Sequence, residues 1–163
     1  NAIERAEGLW ITDTAGRRLA SGARAVRIPA RASTCVTALN LKPQIDKAGA
    51  RNVMLWLDLH ENGREASTNF VSFVRPKQFD LKDPQIKALV TAAADGSFRV
   101  RLTARRPALW AWVELEGVDA RFSDNFVHLE PRKSVTIVAQ PAGTQTLAQI
   151  RRRLKVRSLI DTF

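Results

Sequence analysis

The sequence has few cysteines and no long apolar runs, and each shortage excludes a class of protein. Its one cysteine, Cys35, cannot form an internal disulfide, which excludes a disulfide-stapled scaffold. Cys35 lies in an alternating stretch from Thr34 to Leu39, which predicts a buried thiol acting as a small hydrophobe, not a nucleophile. The apolar runs reach only about five residues, whereas a membrane-spanning helix needs roughly 20.

Targeting signals are also missing from this stretch of sequence. No basic start is followed by an apolar segment, so no signal peptide is visible. The compartment stays open between cytoplasm, periplasm and secretion, and the excess of Arg over Lys with abundant Ala favours a bacterial source. The chain opens at Asn1 without Met, which we interpret as a piece of something longer.

The net charge of +10 raises the question of a nucleic-acid partner. The basic residues are spread along the chain, and the one dense run is Arg151 to Arg153, followed by Lys155 and Arg157. Leu154 and Val156 alternate with these charges, as on a half-buried strand. We therefore interpret the run as a solvated strand face and predict no nucleic-acid partner.

Apolar and polar residues alternate with a period of two along most of the chain, which is typical of β-strands. The turns Asn62-Gly63 and Asp95-Gly96 each join two such stretches and predict hairpins. The only helical or irregular crossover that we predict is Pro43 to Arg51. The first half predicts five strands, near residues 8–12, 24–28, 34–41, 52–60 and 68–74, and about seven follow, the last over 154–159.

Two prolines, Pro76 and Pro84, mark a domain boundary near residues 75–84. We predict an all-β protein of two consecutive antiparallel immunoglobulin-like β-sandwiches, over residues 1–78 and 79–163. Five strands would leave the first sandwich with open edges, which natural proteins avoid. We therefore expect the first sandwich to be truncated at its N-terminus, with strands that precede Asn1.

Two stretches carry a family resemblance. Residues 121–126, Arg-Phe-Ser-Asp-Asn-Phe, followed by Leu129-Glu130-Pro131, resemble the FSDN motif of the last domain of β-mannosidases. Residues 156–163 look like the C-terminus of the same enzymes, and residues 69–77 resemble the end of their penultimate, carbohydrate-module-like domain. The similarity covers residues 79–163 closely and residues 8–78 more loosely.

The resemblance implies a multidomain family two glycoside hydrolase that cleaves terminal β-mannosides with retention, using two carboxylates. The family's two catalytic glutamates lie in a (β/α) barrel, and no segment here matches barrel strands. The resemblance thus implies accessory domains that brace the absent barrel, with no catalytic residue, cofactor or metal in this chain. Implied partners are the remaining domains of the parent glycosidase and mannose-containing glycans, with no membrane.

The FSDN stretch also has a physical interpretation of its own. Ser123, Asp124 and Asn125 favour a turn, because their side chains bond neighbouring backbone groups. Phe122 and Phe126 bracket that turn, and we expect both to insert into the core. We interpret the stretch as a side-chain-locked corner of the sandwich; calcium or sugar coordination is the alternative.

Trp110, Trp112 and Glu114 share one face of a predicted strand. They are candidates for interdomain packing, or for stacking of a sugar ring, and a bulge could instead turn one Trp inward. Glu114 and Glu116 have a spacing compatible with a glycosidase pair, but any two charges at i and i+2 share it. We assign neither a catalytic role.

His60 and His128 are the only histidines, and neither lies near a second strong ligand in sequence, so we predict no zinc site. No phosphate-binding loop or Ser/His/Asp arrangement is visible. The function that we predict is a non-catalytic accessory role in a β-mannosidase. An independent carbohydrate-binding module is the alternative.

Overall fold

The computed structural model describes residues 3–29 and 31–163. The chain divides into two compact units, one ending at Asp80 and one beginning at Leu81. None of the helices in the described part of the chain has the length and apolarity that a bilayer crossing requires.

The first unit is a four-stranded antiparallel sheet with strand order β2-β1-β3-β4. One α-helix and two 3-10 helices accompany it, the latter at Ala50–Asn52 and Pro76–Gln78. Its elements are β1 (Ile3–Asp13), β2 (Arg18–Ile28), α1 (Lys42–Ala48), β3 (Val53–Glu61) and β4 (Arg64–Ser72).

The predicted Asn62-Gly63 hairpin is confirmed as the turn between β3 and β4. Both turn residues have positive φ, 51° at Asn62 and 74° at Gly63, which is the backbone that a two-residue type I′ turn requires. The helical or irregular crossover predicted over Pro43 to Arg51 contains the helix α1, which begins at Lys42, next to Pro43.

The sheet of the first unit is apolar on both faces. One face holds Ile11, Val53 and Leu55, against which Ile45 of α1 packs. On the other face Trp10 and Trp56 oppose each other in the register and are both buried. Trp56 donates its Nε1 hydrogen to Thr12 Oγ1 at 2.9 Å. Its ring contacts that of Phe70 in a tilted arrangement, with centroids 5.2 Å apart, and Phe79 contacts Phe70 in turn at 6.2 Å.

The strand predicted near residues 34–41 is wrong. This segment joins no ladder in the described structure, and Cys35 is exposed where a buried thiol was expected. Its thiol contacts only the Thr37 carbonyl of its own segment, at 3.9 Å. Alternation with a period of two indicates an extended segment with one apolar side and one polar side. Such a segment becomes a β-strand only when it pairs with the free edge of another strand.

The second unit is a sandwich of two antiparallel sheets, with strand orders β5-β6-β10-β8 and β11-β7-β9. A 3-10 helix, Leu159–Thr162, ends it. Its elements are β5 (Lys87–Ala92), β6 (Phe98–Thr103), β7 (Ala108–Leu115), β8 (Ala120–Phe122), β9 (Val127–Leu129), β10 (Ser134–Pro141), α2 (Leu147–Arg153) and β11 (Leu154–Arg157).

The core of the second unit is filled by alternate residues of both sheets. Phe98, Val100 and Leu102 of β6 are buried, as the alternation predicted. Ala111 and Val113 of β7 face them from the other sheet in the same core cluster. The predicted all-β architecture of immunoglobulin-like sandwich type is therefore confirmed in this unit, and its strands number seven.

The helix α2 was not predicted. Thr146 and Gln149 form a capping box at its start, and Ile150 is completely buried in the sandwich core. Arg151 to Arg153 therefore lie on a helix, and the final strand begins only at Leu154 and ends at Arg157, short of the predicted Leu159.

Candidate aromatic binding face

A β-bulge shapes the outer face of strand β7. Ala108 opposes Leu129 and Ala111 opposes Val127, so two residues of β7 lie against one of β9. Trp110 sits in the bulge with φ of 47°, a left-handed backbone that a bulky residue rarely adopts. Because of this bulge, the alternation of β7 resumes with Ala111 pointing into the core.

Trp110 and Trp112 share the outer side of β7 and are both half-buried. Trp112 stacks on Phe126, with ring centroids 5.8 Å apart and 27° between the planes. Trp110 meets His128 edge-on at 5.0 Å. These four residues form what we call the aromatic face, and Phe126 is its most exposed member at 60%.

Charged side chains of β7 and β11 border the aromatic face. Arg157 opposes Trp112 in the register and its guanidinium lies 2.9 Å from the Glu114 carboxylate. Lys155 lies 3.6 Å from Glu116. Both carboxylates thus have basic partners at the surface, where such pairs contribute little to stability.

The FSDN segment ties both sheets of the sandwich together. Asn125 Oδ1 accepts from the Val113 amide at 2.8 Å, and Asn125 Nδ2 donates to the Val113 carbonyl at 2.9 Å. Ser123 does the same for β10, since its hydroxyl accepts from the Val138 amide at 2.9 Å. Beyond the end of β9, the Asn125 side chain therefore makes the two backbone hydrogen bonds to β7 that a neighbouring strand would otherwise make.

The two phenylalanines that bracket this segment differ in position. Phe122 is half-buried and packs against the core, as expected. The expectation that Phe126 also inserts into the core is wrong. With φ of 57°, the backbone at Phe126 points the ring outward onto Trp112. Asp124 only accepts from the amide of Asn125, at 2.7 Å.

His128 is held by the backbone of the bulge. Its Nδ1 accepts from the Trp110 amide at 3.3 Å, which requires that nitrogen to be unprotonated. Burial lowers the pKa of His128, because the charged imidazolium is poorly solvated at this partly buried position.

Two of the three arginines in the dense basic run make hydrogen bonds to backbone carbonyl groups of the second unit. Arg151 donates to the Val90 carbonyl at 3.0 Å, and Arg153 donates to the Glu116 carbonyl at 2.9 Å. These bonds join α2 to strand β5 and to the turn that follows β7, so the run does not form a single patch of guanidinium groups directed at phosphate.

One group of potential metal ligands in the first unit was not predicted from the sequence. Asp58 and His60 of β3 lie with Glu65 of β4, and one potential ligand atom from each falls within 4.8 Å of the others. The signal was available: Asp58 and His60 share a face at i and i+2, and the Asn62-Gly63 turn returns Glu65 opposite them.

Comparison with protein families assigns both units. Residues 81–162, just over half of the chain, match the model of the mannosidase Ig-fold domain. Residues 9–78 match the model of the Mannosidase Ig/CBM-like domain. A comparison with curated proteins finds no match.

Solved structures of glycoside hydrolases show the same fold. A β-D-mannosidase from Dictyoglomus thermophilum aligns with 97% of this chain at 20% identity and a TM-score of 0.79. An exo-chitosanase from Amycolatopsis orientalis aligns with 98% at 14% identity and a TM-score of 0.55. The chain spans only 19% and 23% of these two proteins. From the family matches, the chain belongs to the mannosidase Ig-fold domain family, with a Mannosidase Ig/CBM-like domain preceding the Ig-fold domain.

Proposed function

We propose that this chain is a non-catalytic accessory part of a β-mannosidase, and that it braces the enzyme's catalytic barrel. The observation that carries the proposal is the pair of consecutive mannosidase domain matches, at residues 9–78 and 81–162. The fold shared with about a fifth of a β-D-mannosidase supports it. The substrate class that follows is β-linked mannose at a non-reducing end.

The surface carboxylates of the second unit support a non-catalytic role. A retaining glycosidase needs two carboxyl groups about 5–5.5 Å apart, one on each side of the bond that is cleaved. Glu114 is paired with Arg157 and Glu116 lies near Lys155, on an outer strand face. Neither carboxylate is placed to protonate or attack a bound sugar.

Within this role, we assign the aromatic face to packing against another part of the glycosidase. Tryptophan and phenylalanine are enriched in the cores of protein interfaces, where large rigid rings bury much area at small entropic cost. The Trp112–Phe126 stack presents such rings at the surface of the unit. The Glu114–Arg157 pair would then lie at a polar rim.

The first experiment reads the open reading frame upstream of Asn1. A long in-frame extension that encodes a (β/α) barrel with two candidate glutamates is the expected result. A stop codon and start site immediately before Asn1 would contradict the accessory role and favour the binding-module function instead.

The second experiment tests the aromatic face in the protein encoded by that frame. Trp112→Ala and Phe126→Gly should shorten the half-life of β-mannosidase activity at elevated temperature, while the initial rate on p-nitrophenyl β-mannoside stays close to wild type. Leu89→Ala is the matched control, since Leu89 is an exposed apolar residue on the other sheet. Equal half-lives in all variants would argue against packing at this face.

A second function, an independent carbohydrate-binding module, has one specific observation in its favour. Trp110, Trp112 and Glu114 lie on one outer face of β7, which places two indole rings beside a carboxylate, the groups that stack on a sugar ring and bond its hydroxyl groups. Titration with manno-oligosaccharides should then change the tryptophan fluorescence of wild type and leave Trp112→Ala unchanged. Absence of any change at millimolar sugar would reject this function.

A further inference from the structure

The first unit carries a cluster of potential metal ligands at the turn end of the β3–β4 hairpin. Asp58 and His60 project from the same face of β3, and His60 Nε2 lies 3.8 Å from Asp58 Oδ2. Glu65 joins them from β4, so that one ligand atom from each residue lies within 4.8 Å of the other two. Within the described part of the chain, no other three such residues meet this closely.

A register shift in the hairpin creates this arrangement. Leu59 opposes Ser67, but the next residue, His60, opposes Glu65 because Ala66 is bulged out of the pairing. With regular pairing, His60 would face Ala66, which has no ligand atom. Directly opposed residues have their Cβ atoms about 4.5–5.5 Å apart, so the bulge brings a carboxylate within reach of the imidazole.

The neighbouring strand packs closely against the inner end of the cluster. Gly8 of β1 opposes Asp58, and a Cβ atom added at Gly8 would lie 3.3 Å from the Trp10 ring and 4.0 Å from the Asp58 Cβ. The Asp58 side chain is only 7% exposed, whereas that of His60 is 38% exposed and Glu65 lies at the surface. The cluster thus has one inner ligand and a side that is open to water.

The chemical types of the three ligands determine which metal ions they would bind well. Imidazole nitrogen with two carboxylates suits a divalent transition metal such as Zn²⁺, which takes three protein ligands and a water in tetrahedral sites. Calcium needs six to eight oxygen ligands, which this cluster does not supply. With metal–ligand bonds of about 2.0–2.2 Å, the ligand atoms of a tetrahedron lie roughly 3.3–3.6 Å apart. The Asp58–His60 distance of 3.8 Å is close to that value.

We propose that Asp58, His60 and Glu65 bind a divalent transition-metal ion, with Zn²⁺ as the best-fitting one, and that the ion clips β3 to β4 at the end of the hairpin. The cation would be shielded on the Asp58 side and completed by water on the Glu65 side.

The test is titration of the tag-free protein with Zn²⁺, followed by calorimetry and by thermal unfolding. We expect one ion per chain, a melting temperature that rises with Zn²⁺, and little competition from millimolar Ca²⁺ or Mg²⁺. His60→Asn and Glu65→Gln should each weaken binding at least tenfold, since even outer-shell partners typically contribute 10–100-fold. Glu65 is exposed, so Glu65→Gln tests the site even if a change at buried Asp58 prevents folding.

Two matched controls use the remaining soft ligands of the sequence. His128→Gln and Cys35→Ser each remove a potential metal ligand elsewhere and should leave Zn²⁺ affinity unchanged. The proposal is overturned if wild type binds no Zn²⁺ at 100 times the protein concentration, if Glu65→Gln and His60→Asn bind as wild type does, or if either control abolishes binding.

Discussion

Replacement of Asn125 by alanine is the sharpest test of how the second unit is held together. The Asn125 amide makes two hydrogen bonds to one residue, at 2.8 Å to the Val113 N–H and 2.9 Å to the Val113 C=O. Val113 is 1% exposed, so water cannot easily replace these partners. The alanine variant leaves a backbone donor and a backbone acceptor of β7 unpaired beneath the surface.

The size of the effect follows from those two groups. A typical hydrogen bond contributes about 0.5–1.5 kcal/mol net, and a buried group left without a partner costs about 1–3 kcal/mol. Allowing some access of water, we expect Asn125→Ala to lower the free energy of unfolding by about 2–4 kcal/mol. For a domain of this size each kcal/mol lowers the melting temperature by about 4–8 °C, so the midpoint should fall by roughly 10–30 °C.

Asp124→Ala is the matched control. Asp124 accepts one exposed hydrogen bond, from the Asn125 amide at 2.7 Å, so its removal should cost only about 0.5–1 kcal/mol. Thermal unfolding measures both variants, and hydrogen exchange at the Val113 amide reports the broken bond directly. A melting temperature of Asn125→Ala within about 2 °C of wild type, or an effect smaller than that of Asp124→Ala, would refute the reasoning.

Three further predictions concern other contacts. Trp56→Phe should cost about 1–2 kcal/mol in urea unfolding, because the buried Thr12 hydroxyl loses its donor; Thr12→Ser keeps the acceptor and should cost less. Glu114→Gln should change stability by under about 0.5 kcal/mol, because the pair with Arg157 is half-exposed; a larger loss would contradict this. His128 has a lowered pKa, so the unfolded chain binds protons more readily: stability is full above about pH 6.5 and falls as the pH drops below it. The melting temperature of His128→Gln should fall less between pH 7 and 5 than that of wild type, and an identical profile would reject this prediction.

The strands of this protein were predictable because the alternation of apolar residues is a local property. The β6 segment from Phe98 to Thr103 alternates buried and exposed residues as read from the sequence, and Asn62-Gly63 forms the predicted turn. The segment around Cys35 has a similar alternation but remains outside the sheet. Alternation shows only that a segment has one apolar side and one polar side. A β-strand also requires a neighbouring strand to pair with, and that neighbour is present only in the folded chain.

The helix α2 shows a different kind of failure. Its N-terminal signal, Thr146 with Gln149, was present in the sequence, but the helix is only seven residues long and has one buried residue, Ile150. Its apolar residues, Leu147, Ala148 and Ile150, span about one turn, which is too short for a helical period to be detected, and the capping box alone marked the start.

The candidate sites were less predictable than the strands because their geometry depends on register. The sequence placed Trp110 and Trp112 on one face, but the rings that meet them, His128 and Phe126, come from β9 and its approach. Similarly, Glu65 reaches His60 only through the bulge at Ala66. A shift of one residue in either pairing would move these side chains to the opposite face of the sheet.

Two of the non-glycine residues with a left-handed backbone lie on the aromatic face. Trp110 and Phe126 have φ of 47° and 57°, and a left-handed backbone costs a bulky residue about 1–2 kcal/mol. Neither ring belongs to the core cluster, which Ala111 and Val113 enter from β7. Strained residues of this kind persist where they hold side chains in place for binding. The strain therefore supports an aromatic face that contacts a partner, in keeping with the proposed packing against the parent glycosidase.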